Sequence, residues 1–140
     1  MAVMTLRVEG SAALFHMQES LQKLASLDVK RIYPGHGRPF SDIKKAIVKS
    51  KNTIKRYLLD RSLIGTDLIK KIIVYSLMMN KTAHKNEFYP YLMNTIWYRE
   101  TVDLYFSGRY EAKYDQVINS FLRRGIVKAE NGRLSTTVKP

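Results

Sequence analysis

The tightest constraint on this chain lies near its C-terminus, where two β-prone runs, Ile126 to Ala129 and Arg133 to Thr137, flank the dipeptide Asn131-Gly132. Asn-Gly readily accepts positive φ at both central positions of a two-residue turn, so the two runs are expected to pair as an antiparallel hairpin. The stretch before them reads as a helix over Glu111 to Arg124. Tyr114, Val117, Ile118, Phe121 and Leu122 fall at i, i+3, i+4, i+7 and i+8, one face of a 3.6-residue period. Gly125 stands where a helix C-terminus takes glycine, and Arg123 and Arg124 complement the negative end of the dipole.

Upstream, Val3 to Val8 is β-prone and ends at Gly10, and Ser11 can cap a helix through about Ala25. Leu14, Met17, Leu21, Leu24 and Ala25 share one face of that helix. Asp28 to Arg31 turn the chain into an apolar step at Ile32 and Tyr33, read as a strand, and Pro34-Gly35-His36-Gly37-Arg38-Pro39 ends regular structure. Ser41 and Asp42 begin an amphipathic basic helix with Gly65 as its expected stop. A helix capped by Thr66 and running from Leu68 to about Met79 is apolar almost all round, which predicts burial at the centre of the C-terminal part. Asn80 to Glu87 reads as a polar connection. Pro90 is expected to open a helical, aromatic-rich segment closing at Gly108. Helices followed by a terminal hairpin resemble a winged-helix domain, with the hairpin as the wing.

The chain has 140 residues, enough for one domain or two small units. Its longest apolar run, Ile72 to Met79 with Ser76 inside it, is far short of the roughly 20 residues that cross a bilayer. Met1 to Gly10 has no secretory pattern. The absence of cysteine excludes disulfides, thiolate metal sites, iron–sulfur clusters and cysteine nucleophiles, and a cytoplasmic location is expected. No Walker loop, dinucleotide fingerprint or Gly-x-Ser-x-Gly elbow is present. His16 and His84 read as surface or interface residues, and no residue reads as catalytic.

The net charge of +12 is unevenly placed: residues 1–40 carry +2, 41–65 carry +5, 66–108 carry +1 and 109–140 carry +4. Such a balance favours phosphate-bearing partners. On a winged-helix reading, Lys113, Arg123, Arg124, Lys128 and Arg133 are the candidate nucleic-acid-binding residues.

Pro34-Gly35-His36-Gly37 carries the sharpest chemistry, because glycines on both sides permit a tight turn and leave the imidazole unobstructed. Glu19-Ser20-Leu21-Gln22-Lys23-Leu24, then Val29 to Tyr33, then Pro34 to Phe40, then a long helix and a small winged-helix tail resemble the C-terminal part of metallo-β-lactamase-fold hydrolases. Within that superfamily the chain is most similar to the branch related to hydroxyacylglutathione hydrolase (glyoxalase II) that carries a winged-helix extension. The motif match covers roughly residues 14 to 62.

The resemblance implies zinc-dependent hydrolysis of thioesters or esters, with His36 as the one matching metal ligand. The family's His-x-His-x-Asp-His signature is absent from this chain, and where the family often carries a His-Arg pair the chain has Lys49-Ser50. A catalytic zinc takes three protein ligands and an open position. The expectation is therefore an α+β, mainly helical chain. It would comprise a small α/β remnant of a metallo-β-lactamase sandwich (1–40), a connecting basic helix (41–65) and a winged-helix-like domain (66–140). It would be catalytically incomplete, binding zinc weakly or not at all alone, and partnered by an upstream metallo-β-lactamase segment or another subunit. The alternatives are a winged-helix nucleic-acid-binding module and a protein-interaction module that self-associates through the edge of Val3 to Val8. No membrane partner is expected.

Overall fold

The computed structural model describes residues 11–35 and 37–139, so the expected strand Val3 to Val8 and His36 lie outside the described residues. The chain is α+β and mainly helical, with one three-stranded antiparallel sheet among the described residues. It divides into two compact units, Met1–Arg61 and Ser62–Pro140. None of the described helices is long and apolar enough to cross a membrane.

In the first unit, α1 (Ser11–Ala25) packs against α2 (Ile43–Leu59). Among the described side chains of α1, burial is confined to Ala13 and Leu14, with Met17 and Leu21 half-buried. Leu24 and Ala25, expected on the same buried face, are exposed; α2 is the one helix that α1 meets among the described residues of this unit. The expected strand at Ile32 and Tyr33 is reduced to a single antiparallel bridge between Ile32 and Phe40. Pro34 and Pro39 have no N–H to donate and restrict the residues before them, so the ladder cannot lengthen inward.

Asp42 caps α2 by accepting from the Lys45 N–H at 3.2 Å, and Ile43, Ile47, Ile54 and Tyr57 are its buried stripe. The helix ends at Leu59, not at Gly65, because Asp60 turns extended, its N–H still bonded to the Arg56 carbonyl at 2.9 Å.

The second unit begins with α3 (Ser62–Asn80), several residues before the expected Thr66 cap. Gly65 lies inside this helix and is buried. A Cβ there would lie 2.5 Å from the Tyr105 Cβ; this glycine allows close helix approach and does not stop a helix. After Lys81, at φ +60, the expected polar connection contains β1 (Ala83–His84) and the start of α4 (Lys85–Met93). Pro90 does not open this helix but sits inside it, where it removes a single N–H from the ladder. The aromatic segment is two helices, because α4 stops at Asn94 and α5 (Ile96–Phe106) starts after Thr95, whose hydroxyl donates to the Leu92 carbonyl at 2.7 Å.

The next helix, α6 (Tyr110–Arg123), closes as the sequence predicts. Gly125 has φ +66, and its N–H and that of Ile126 donate to the carbonyls of Leu122 and Phe121 at 3.1 and 2.9 Å, the paired bonds of a Schellman cap. Strands β2 (Val127–Glu130) and β3 (Arg133–Thr136) pair across Asn131 (φ +51) and Gly132 (φ +73), the two positive φ values of a type I′ turn. Strand order is β1-β3-β2, with Ala83 opposite Leu134 and His84 opposite Arg133. Val127 and Leu134 turn inward onto a core of Ile69, Ile73, Leu77, Phe88, Leu92, Tyr98 and Val102.

Candidate functional site

The Pro34–Pro39 loop is closed at its base by two backbone bonds. The Ile32 N–H donates to the Phe40 carbonyl at 2.9 Å and the Phe40 N–H returns to the Ile32 carbonyl at 3.1 Å. Gly37 has φ +97 and a Cβ on either glycine would meet open space, so conformation and not crowding selects glycine at Gly37. At the loop's foot the Arg31 guanidinium lies 5.9 Å from the centre of the Tyr33 ring, within cation–π range.

The other two histidines lie in separate units, His16 in Met1–Arg61 and His84 in Ser62–Pro140. His16 is exposed on α1. The His84 Nε2 lies 2.8 Å from an Arg133 terminal nitrogen. Among the described residues no group of three or more His, Cys, Asp or Glu side chains could hold a metal ion. No three-ligand zinc centre is assembled among the described residues.

The five cations nominated around the hairpin divide into two kinds. Lys113 folds its ammonium over the Phe106 ring at 4.1 Å and donates to the Gln116 side-chain oxygen at 2.8 Å. Burial, and then the nearby Arg109 charge, lower its pKa from the ordinary lysine value. Arg133 donates twice to the Thr82 hydroxyl, from Nε at 3.0 Å and from a terminal nitrogen at 2.7 Å, clamping the hairpin to the approach of β1. Arg123, Arg124 and Lys128 are exposed and make no ion pair among the described residues. Glu111 and Asp115 are exposed on the same helix as Arg123, which dilutes its positive field.

The Thr82–His84–Arg133 cluster was not readable in advance, since a strand of two residues is defined only by its partner. An open apolar groove of about 380 Å³ beside the end of α3 is walled chiefly by Tyr75, Met78, Met79 and Val138, with Lys81 as its charged group. It gathers no catalytic constellation. No protein-family model matches the chain, and no curated protein or solved structure matches it.

Proposed function

We propose that this chain is the C-terminal module of a zinc-dependent metallo-β-lactamase-fold hydrolase acting on thioesters or esters, catalytically incomplete by itself. The carrying observation is the Ile32–Phe40 bridge. It pins both ends of the glycine-flanked loop that contains His36, the arrangement expected of a loop holding an imidazole for a metal. Two further features support the reading. A long capped helix follows the loop directly. The Ser62–Pro140 unit then runs helix, short strand, three helices and hairpin, with sheet order β1-β3-β2, and the terminal hairpin after the helices supports the winged-helix part of the reading.

In that reading His36 supplies one ligand of the second metal, and the remaining ligands belong to an upstream segment or another subunit. The metal would supply an activated hydroxide for hydrolysis. This chain's own share is to supply one imidazole from the loop closed by the Ile32–Phe40 bridge, with the winged-helix-like unit available for packing or pocket formation.

Zinc titration by calorimetry tests the incompleteness. The chain alone is expected to show no tight stoichiometric binding and no change in His36→Ala, since one imidazole cannot offset dehydration of the ion; tight one-to-one binding overturns the reading. The coding sequence before Met1 tests the family: a His-x-His-x-Asp-His run encoded there supports it. In the joined polypeptide, His36→Ala should then remove both bound zinc and thioester hydrolysis.

A second reading, a winged-helix nucleic-acid-binding module, is favoured by the solvent-facing Arg123, Arg124 and Lys128. It predicts salt-dependent duplex binding that collapses in Arg123→Ala/Arg124→Ala.

A further inference from the structure

Neither reading uses the charge on α2. Between Ile43 and Leu59 that helix carries Lys44, Lys45, Lys49, Lys51, Lys55 and Arg56 and no acidic residue. All six cations are exposed, and none makes an ion pair among the described residues. At about 100° per residue they fall into two rows. Lys44, Lys51 and Lys55 form one, and Lys45, Lys49 and Arg56 form the other, about 120° around the axis. The strip between the rows carries Val48, Asn52 and Leu59, all exposed. The remaining side is anchored, with Ile43, Ile47, Ile54 and Tyr57 buried.

We propose that α2 is a docking helix for duplex DNA, seated in the major groove with one cation row against each phosphate backbone and the Asn52 amide against the base edges. The dimensions match. A helix with its side chains is about 10–12 Å across and the B-form major groove is about 12 Å wide. From Lys44 to Lys55 the helix rises about 17 Å, roughly five base-pair steps. Two rows flanking a strip are what a groove with phosphates on both walls requires, and the strip holds an amide of the kind that pairs with adenine.

A membrane surface fits poorly, because an interfacial helix must insert its apolar face and that of α2 is already buried. Duplex RNA fits poorly too, since its deep, narrow major groove does not admit a helix. The inference is independent of the hydrolase reading and of the cations around the hairpin.

The test is anisotropy of a labelled duplex DNA of about 20 base pairs, titrated with the full chain between 50 and 200 mM KCl. Six phosphate contacts predict a log–log salt slope of about −5 and a loss of roughly a thousandfold in affinity across that range. Lys45→Gln/Lys49→Gln/Arg56→Gln should bring the slope to about −3. Lys44→Arg/Lys51→Arg/Lys55→Arg should keep the parent slope, and Asn52→Ala should weaken binding with the slope unchanged. Circular dichroism of each variant should match the parent, since all the altered side chains are exposed. The proposal is overturned by absence of binding at 50 mM salt, by loss of binding in Arg123→Ala/Arg124→Ala with the glutamine row variant unaffected, or by equal affinity for duplex RNA or phosphatidylserine vesicles.

Discussion

Tyr98 shows how a single residue ties the second unit together. Its side chain is fully buried, and its hydroxyl donates to the Tyr110 carbonyl at 2.6 Å, linking α5 to the first residue of α6. Burial raises its pKa above the ordinary tyrosine value, with Tyr89, Tyr114 and Asp115 adding smaller contributions. Tyr114 is likewise pushed up to about 12, by burial first and by Asp115 second. Both groups are acids held protonated by the fold, so above pH 10 the unfolded chain releases their protons first. Their contribution to stability is complete below about pH 10 and is lost as pH rises through the folded values. Melting temperatures should therefore fall steeply between about pH 10 and 12. At pH 7, Tyr98→Phe should cost about 1 kcal/mol in urea unfolding, the net worth of one hydrogen bond, because the Tyr110 carbonyl keeps its place in the helix ladder. The variant should also show a shallower alkaline decline. A variant as stable as the parent with an unchanged alkaline limb contradicts this account.

At the scale of elements, the join of α3 to α5 turns on Gly65. An added methyl would meet the Tyr105 Cβ at 2.5 Å, the Tyr105 Cγ at 2.6 Å and the Phe106 Cε2 at 2.8 Å. The nearest of these atoms is bonded directly to the backbone, so it cannot swing aside. Alanine would gain about 1 kcal/mol of helix propensity, yet the overpacking should outweigh it, leaving Gly65→Ala destabilised by about 1–3 kcal/mol. A urea midpoint at or above the parent's would show that the helices can part without cost. The same residue explains what could be read from sequence. The α6 cap, the Asn131-Gly132 turn and the Asp42 cap were legible because each is decided by neighbours within a few residues. Gly65 was misread as a stop because its reason lies forty residues away, in Tyr105. Strand β1 is invisible in the sequence because its two residues are a strand only by pairing with β3, and Pro90 marks no helix start because it is the sixth residue of α4, which bears the loss of one ladder N–H. The candidate site follows the same rule: which cations exist was plain, whereas the engagement of Lys113 by Phe106 and of Arg133 by Thr82 depends on tertiary placement.

Over the whole molecule, the two units differ in how much apolar surface secures them. Ser62–Pro140 encloses α3, α4, α5, α6 and β3 side chains in one core, in which Ile69, Ile73, Leu77, Phe88 and Leu92 are fully buried. Among the described residues of Met1–Arg61, the buried apolar side chains are Ala13, Leu14, Ile43, Ile47, Ile54 and Tyr57, while Phe15, Leu24 and Leu27 stay exposed. Helices take most of their stability from tertiary packing of one face, so the smaller store of burial should let α1 and α2 open at lower free energy than α3. Hydrogen exchange at pH 7 should therefore show amides of α1 and α2 exchanging about tenfold or more faster than those around Ile69, Ile73 and Leu77, each tenfold corresponding to about 1.4 kcal/mol of opening free energy. Equal protection would mean that the first unit draws stability from contacts beyond these buried side chains. Adding duplex DNA turns the same measurement into a map. A ligand that binds only the folded form stabilises the element it holds by RT ln(1 + L/Kd), where L is the free ligand concentration, so α2 should slow its exchange while α6 and the hairpin keep theirs. The reverse pattern, slowing around Arg123 and Lys128 with α2 unchanged, would assign the nucleic acid to the other unit.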